Sequence, residues 1–304
     1  LGQQRGLKIN EYGVYRHGKR IAGRDEEDVF RSVGLPWIPP ELREDRGELE
    51  AAAAGTLPRL IEPGDLRGDL QVHTTDSDGR ASLAEMAGAA AALGHEYIAI
   101  TDHSPAVRIT QGMRAAGFRR QMKRIDTLNR RLQGIILLKG AEVDILPDGS
   151  LDLPATLLAE LDLVVVALHS SFDLSPREQT RRVVKALRHP CVDIFGHPTG
   201  RLIGRRTGAA FDLGEVLRVV EDRGIMMEID AQPERLDLDD LSARAAVERG
   251  VKLVISTDAH SVAELRFLRW GVDQARRGWV EAKHVANTRP LHELLPLLHR
   301  ERNR

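Results

Sequence analysis

The chain has 304 residues, with 44 Lys+Arg against 45 Asp+Glu and a formal net charge of −1. At roughly 100–200 residues per domain, this length holds one large domain, or a large one with a small companion. An apolar fraction of 42% beside 29% charged residues excludes a mostly disordered chain, and the near-neutral balance excludes coating of nucleic acid or membrane by bulk charge. The one cysteine, Cys191, excludes an intrachain disulfide and a cysteine-based metal site, and points to a reducing compartment. No apolar run approaches the roughly 20 residues of a membrane span, and no signal peptide opens the sequence. These features predict a cytoplasmic protein without a membrane partner. Leu1 falls in the middle of what reads as a structural element, so a piece of a longer protein is expected.

Residues 1–45 have their own texture. Ile9, Tyr12, Val14 and Tyr15 read as a short hairpin with a His17-Gly18 turn. RDEEDVFRSVGL reads as a helix, with Asp25 as N-cap, acidic residues in the first turn and Gly34 as the stop. Residues 46–65 are acidic, Ala-rich and then Pro-punctuated, and read as a linker with one short helix. From residue 66 to 304 short apolar runs alternate with amphipathic segments. The runs are DLQVH, EYIAITDH, IILLKGAEVDI, LVVVALH, DIFGH, IMMEID and KLVISTDAH. Helical patterns cover Ser82–Leu93, Gly117–Leu132, Ser175–Leu187, Leu213–Asp222, Asp239–Arg249 and Val262–Arg277. This alternation predicts an α/β fold with a parallel sheet.

The polar residues favour a barrel. His73 and Asp78 follow the first run, Asp102 and His103 end the second, Glu142 lies in the third, His169 and His197 end the fourth and fifth, and Asp258 and His260 end the seventh. Active sites of parallel α/β folds sit at the C-terminal ends of strands, and a closed sheet brings those ends to one point. A lone His at such a position is ordinarily a hydrogen-bonded structural group. Five of the 11 His at strand ends are a poor coincidence. His17, His95, His189, His284, His292 and His299 are read as solvated. Convergent His, Asp and Glu without Cys suit Mn, Zn or Fe. Asp258 and His260, spaced i, i+2, face the lumen together, whereas Asp102 faces away from His103 and is read as structural.

DLQVHTTDSDG, AITDHS, GAEVDI, ALHSS, GHPTGR and STDAHS resemble, in order and spacing, the motifs of the PHP (polymerase and histidinol phosphatase) superfamily. The resemblance implies a distorted (β/α)7 TIM-like barrel with a multinuclear phosphoesterase site of up to three divalent metals, Mn first, with Zn or Fe as alternatives. It implies one metal on the two first-strand positions Gln71 and His73 with Glu142 and Asp258, a second on Glu142, His169 and His197, and a third on Asp78, His103 and His260. Glu142, Asp258 and His169 would carry the chemistry. One position departs from the pattern: the family's His-x-His reads Gln71-Val72-His73 here, and an amide oxygen is a weaker ligand than imidazole. Residues 1–45, through LKINEYGVY and EEDVFRSVGLPWIPPELRE, resemble the end of the thumb of family X DNA polymerases, a small α+β segment. The bacterial members carry a PHP domain directly after the thumb. That resemblance implies the C-terminal region of a repair polymerase, with palm and fingers upstream as partners, DNA 3′ ends in gapped or primed duplex as substrate, a nucleoid location and no polymerase activity in this piece alone.

No Gly-rich phosphate loop and no nucleophile elbow are present. Arg201 and Arg205 in GHPTGRLIGRR, and Arg108 after the TDH motif, are candidate phosphate contacts, because Arg offers planar bidentate donors. A structural ion pair is the competing explanation for them. Arg119–Arg124 reads as a solvated helix face. A 3′–5′ exonuclease, a histidinol-phosphatase-like enzyme for small molecules and a non-catalytic or attenuated PHP module are the competing functions. The thumb-like segment favours the first, and Gln71 is the argument for the third.

Overall fold

The computed structural model describes residues 1–107 and 110–298. It divides into two compact units, Leu1–Arg59 and Leu60–Arg304. Strands β1 (Lys8–Asn10), β2 (Gly13–Arg16) and β3 (Lys19–Ala22) of the first unit form an antiparallel sheet in that order. The His17-Gly18 turn has φ of 49° and 80°, the two left-handed positions of a tight hairpin turn. Tyr12 lies outside the strands, in the β1–β2 turn. There its N–H donates to the Asn10 side chain (3.1 Å), a local bond that displaces ladder pairing. Helix α1 (Glu26–Ser32) starts as its sequence predicts, with Asp25 accepting from the Asp28 N–H at 2.8 Å. Helix α2 (Glu48–Ala54) is the short helix of the expected linker. The unit boundary falls after Arg59, so the linker's last residues belong to the second unit, where Ile61 is fully buried.

The second unit is a barrel. Strands β4 (Gly68–Val72), β5 (Tyr97–Ile100), β6 (Ile136–Asp144), β7 (Leu163–Ala167), β8 (Ile194–Phe195), β9 (Met226–Asp230) and β10 (Leu253–Ser256) are parallel and pair in chain order. The helices between them are α3 (Leu83–Ala92), α4 (Ala115–Asn129), α5 (Ala155–Leu158), α6 (Pro176–Leu187), α7 (Leu213–Arg223) and α8 (Asp240–Glu248). Ser82, Ser175, Asp212 and Asp239 cap four of them with side-chain oxygens. The helix expected over Val262–Arg277 is a 3₁₀ segment followed by α9 (Leu268–Arg277), and α10 (Leu291–Leu298) comes last.

Strand residues alternate. Ala141, Val143, Val164, Val166, Met227, Ile229, Leu253 and Ile255 pack outward in one apolar cluster with α6, α7, α8 and α9. Leu138, Leu163, Val165, Ile194, Met226 and Val254 point inward and join Leu294 and Leu298 of α10. The inward row changes chemistry along each strand: Leu138, Gly140, Glu142 in β6 and Met226, Glu228, Asp230 in β9. The bottom of the barrel is therefore an oily plug and the top is polar.

Between β4 and β10 the ladder gives way to a single bridge, Val72 with Ala259. Side chains fasten this seam. Buried Asn287 accepts from the Ile255 N–H (3.1 Å) and donates to the carbonyls of Ile255 (2.8 Å) and Gly68 (2.7 Å). Asp69 accepts from the Thr257 hydroxyl and from its N–H (3.1 Å). Asn287→Leu leaves three backbone groups of the seam without a partner. It should destabilise the protein by about 3 kcal/mol in a urea titration, whereas Asn129→Ala, outside the seam, should leave the barrel closed. Equal stability of Asn287→Leu and wild type would show that the amide does not hold the seam.

Candidate metal centre

Glu142 lies in the inward row of β6, near its C-terminal end, and its side chain is fully enclosed. His197 Nε2 approaches its Oε1 at 2.7 Å and His169 Nε2 at 3.1 Å, while His103 Nδ1 and His73 Nε2 approach Oε2 at 3.2 and 3.3 Å. Four strands thus deliver an imidazole to one carboxylate. Asp258 lies 2.9 Å from His73 Nε2. Asp78 lies 3.6 Å from His103 Nε2 and 3.4 Å from His260 Nε2. His73 stacks between His103 and His260, with ring centroids 4.5 and 4.3 Å away. The ligand-capable atoms fall into three groups, each tight enough for one cation: His73, Asp78, His103 and His260; His103, Glu142 and His169; and His73, Glu142 and Asp258.

The donor chemistry fits metal ions. His73 Nδ1 and His197 Nδ1 are buried without a hydrogen-bond partner, while His73 Nε2 and His103 Nδ1 have only carboxylates beside them. Orphaned polar atoms of this kind cost about 1–3 kcal/mol each unless something coordinates them. His197 and Asp258 adopt φ of 25° and 51°, a left-handed conformation that non-glycine residues rarely take outside functional sites.

Surrounding groups aim these side chains. Asp144, two residues beyond Glu142 on the same face, holds His169 Nδ1 at 2.7 Å, and the Asp258 carbonyl holds His260 Nδ1 at 2.7 Å. Each bond leaves Nε2 facing the cluster. Asp102 turns away from His103, as its position predicts. It accepts from the Thr74 N–H (2.8 Å), the Ser77 hydroxyl (2.5 Å) and the Gln121 amide (2.5 Å), which fixes the loop carrying Asp78.

Burial opposes charge at Glu142, yet the imidazoles around it hold its carboxyl well below the usual range. Burial also opposes protonation of His169, but Glu142 and Asp144 outweigh it and raise the group to about 10. His260 is raised to about 10 by Asp258 and Asp78, again against burial. Burial pushes His103 down to about 4.

The phosphate-contact reading of Arg201 and Arg205 and the solvated reading of His95 need correcting, and Arg108 lies out of reach. Gln71 is inward-facing, but its amide sits against Glu228. With the amide nitrogen toward that carboxylate the contacts are 2.8 and 3.1 Å, and with the oxygen there the nitrogen lies 3.5 Å from Asp258 Oδ1. Gly196 makes this possible, because a Cβ there would lie 2.6 Å from Val165 and 3.1 Å from the Gln71 oxygen. Arg201 and Arg205 do not reach the cluster. Arg201 donates to the carbonyls of Arg235 (2.7 Å) and Leu236, and Arg205, largely exposed, pairs with Glu234 at 3.3 Å. They hold the turn carrying Arg235, whose Nε lies 3.3 Å from Asp230 and 3.8 Å from Asp258. Arg108 lies outside the described residues. Of the histidines read as solvated, His95 is buried.

Glu228, Asp230, Arg235 and Asp144 are therefore parts of the site that the strand-end pattern missed. Glu228 and Asp230 were visible in principle as an i, i+2 carboxylate pair in IMMEID, a run with no histidine. Burial first, then Asp258, raises both well above the carboxylate range.

Residues 69–232, more than half of the chain, match the PHP domain. The chain belongs to the PHP family. Residues 1–44 match the DNA polymerase beta thumb. DNA polymerase/3′-5′ exonuclease PolX of Bacillus subtilis (strain 168) is 41% identical over 302 residues, 99% of this chain and 53% of that protein, so the chain spans about half of that relative's length. A probable phosphatase of Thermoanaerobacter sp. (strain X514) is 32% identical over 204 residues, 63% of this chain and 78% of that protein. The PHP barrel is also similar in fold to the histidinol phosphate phosphatase of Lactococcus lactis, crystallised with Zn, L-histidinol and phosphate. That likeness has a TM-score of 0.50 and 16% identity, over 71% of this chain and 95% of the other. No helix among the described residues is long and apolar enough to cross a membrane.

A cation at this PHP site must displace the protons that His169 and His260 hold. Because their metal-free values are raised to about 10, both carry a proton at neutral pH, and raising the pH removes the competitor. Mn affinity measured by isothermal titration should therefore strengthen from about pH 6 to about pH 9, with proton release visible as a buffer-dependent enthalpy. A pH-independent affinity would mean that neither histidine loses a proton to the metal.

Proposed function

We propose that this chain is the C-terminal region of a family X DNA polymerase and that its PHP domain hydrolyses DNA phosphodiesters from 3′ ends. The observation that carries the reading is Glu142, a buried carboxylate with four imidazoles at 2.7–3.3 Å. The thumb-then-PHP order and the 41% identity to the Bacillus subtilis protein support DNA as the substrate. On this reading palm and fingers of the same polymerase are its partners, and the chain alone does not polymerise.

The proposed ligands are His73, Glu142 and Asp258 for one cation, Glu142, His169 and His197 for a second, and Asp78, His103 and His260 for a third. Mn is our first choice, with Zn or Fe as alternatives, since mixed nitrogen and oxygen donors do not separate them. Divalent cations in such a site activate water and neutralise charge on the phosphoryl group. The chain's own residues do the positioning. Glu142 sets the spacing of the imidazoles, while Asp144 and the Asp258 carbonyl fix the tautomers of His169 and His260. Arg235 balances Asp230 and Asp258.

Glu142→Gln removes the central negative charge with little change in volume. Mn-dependent digestion of a 3′-labelled primer should fall by at least about 100-fold, with bound metal lost and the fold retained. Near-normal digestion by this variant would remove Glu142 from the chemistry.

Gln71→His tests whether the departure from the His-x-His motif attenuates the site. Imidazole binds Mn or Zn more strongly than an amide oxygen does, so the variant should reach half-maximal activity at a lower metal concentration. If wild type and variant are equally inactive and metal-free, the domain is a non-catalytic support and the exonuclease reading falls.

A further inference from the structure

A cleft of about 610 Å3 opens beside the loop that carries the metal-centre residues. Its walls include Thr75 and Asp76 on one side and Met113, Arg114, Arg120 and Arg124 on the other. Thr75 stands two residues after His73, and Asp76 two before Asp78. The Met113 N–H donates to the His103 carbonyl at 2.7 Å, which ties the other wall to the same centre.

The arginines differ in what they already hold. Arg124 pairs with Asp76, whose carboxylate also accepts from the Gln121 amide at 2.8 Å, so the one acid in the cleft is neutralised. Arg119 points elsewhere and pairs with Glu160 at 2.7 Å. Arg114 and Arg120 are exposed, and their guanidiniums have no ion-pair or hydrogen-bond partner among the described residues. Two unpaired guanidiniums on one wall cost electrostatic repulsion, and nothing in the fold uses them. Arg114 is also the N-cap of α4, with no side-chain cap bond and no acidic residue in the first turn, so the helix end adds positive potential to the same wall. The remaining surface, Met113 with Ala116 and Gly117, is small and apolar and would accept a sugar or base face.

We propose that this cleft binds the phosphodiester backbone of a DNA strand entering the metal centre, with Arg114 and Arg120 as its phosphate contacts. The assignment rests on the phosphoesterase reading above for the identity of the polyanion. It explains how a chain of net charge −1 holds a strand: attraction is confined to one cleft rather than spread over the surface.

The test compares wild type, Arg114→Ala, Arg120→Ala, the double variant Arg114→Glu/Arg120→Glu and the control Arg119→Ala. Binding of a fluorescein-labelled single-stranded oligonucleotide is followed by anisotropy across a salt series. Removing one arginine–phosphate interaction should flatten the log–log salt slope by about 0.7. Each alanine variant should weaken binding by about tenfold, and Arg119→Ala should match wild type. The kcat/KM for oligonucleotide digestion, taken relative to that for bis(4-nitrophenyl) phosphate, should fall in step. An unchanged salt slope in the charge-reversed protein, or an Arg119→Ala effect equal to that of Arg120→Ala, overturns the cleft. If wild type hydrolyses neither substrate, the phosphoesterase reading falls, and the anisotropy series still decides whether this cleft holds the strand.

Discussion

Burying carboxylates in a barrel lumen is the constraint on which the rest of the molecule turns. Asp69, Glu142, Glu228, Asp230 and Asp258 are all buried. Removing an ion from water costs several kcal/mol even after relaxation, and neighbours of like charge add to it. Each carboxylate has a different answer. Glu142 and Asp258 are matched by imidazoles and stay ionised, whereas Glu228 and Asp230 have their protonation favoured by burial and by Asp258. Asp69 accepts from Thr257 and helps to close the sheet. The oily lower half of the lumen makes this possible, because α10 and the inward strand residues exclude water from below and leave the C-terminal end as the approach.

Gln71 follows from the same electrostatics. Its amide can face Glu228 by either end. A protonated Glu228 donates to the amide oxygen, which leaves the nitrogen toward Asp258, whereas an ionised Glu228 accepts from the nitrogen at 2.8 and 3.1 Å. A neutral side chain able to donate or accept therefore suits a position between two acids of opposite protonation. An imidazole would offer the metal a stronger donor there but would also titrate with Glu228. The departure from the family motif thus exchanges ligand strength for a contact that tolerates both charge states.

Much of the fold was legible because barrel strands obey a period of two and helices announce their starts. Ser82, Ser175 and Asp239 sit one residue before the helices they cap, and seven apolar runs became seven strands. The histidines were legible because a closed sheet converts separate strand ends into one place. What was not legible depends on partners far away in sequence. Asn287 bonds to residues near 68 and 255, and no local pattern marks it as a seam fastener. Arg201 sat beside the right strand end, yet its guanidinium meets backbone carbonyls, and Arg235 took the place by the carboxylates. The face of Arg119–Arg124, read as merely solvated, contains two ion-paired arginines, a buried Gln121 and an unpaired Arg120. Only the three-dimensional neighbours separate those cases.

A barrel with this lumen does not by itself select a substrate. The likeness to the Lactococcus lactis barrel, at 16% identity, lies in the fold, and fold alone leaves function open. On the phosphoesterase reading, the ligand groups would act on a phosphoryl group and water, which every phosphoester supplies. Discrimination between a small monoester and a polymer must therefore come from surfaces outside the lumen. No Gly-rich loop supplies backbone amides for a free phosphate. The open wall with Arg114 and Arg120 instead suits a chain of phosphates, because its cations lie outside the ligand groups. Two loosely held cations on an exposed wall bind a small monoester weakly in high dielectric, but along a polyanion their effects add, since each contact releases counterions. The same chemistry at the lumen can thus serve a polymer, with substrate length read by charge placed just outside it.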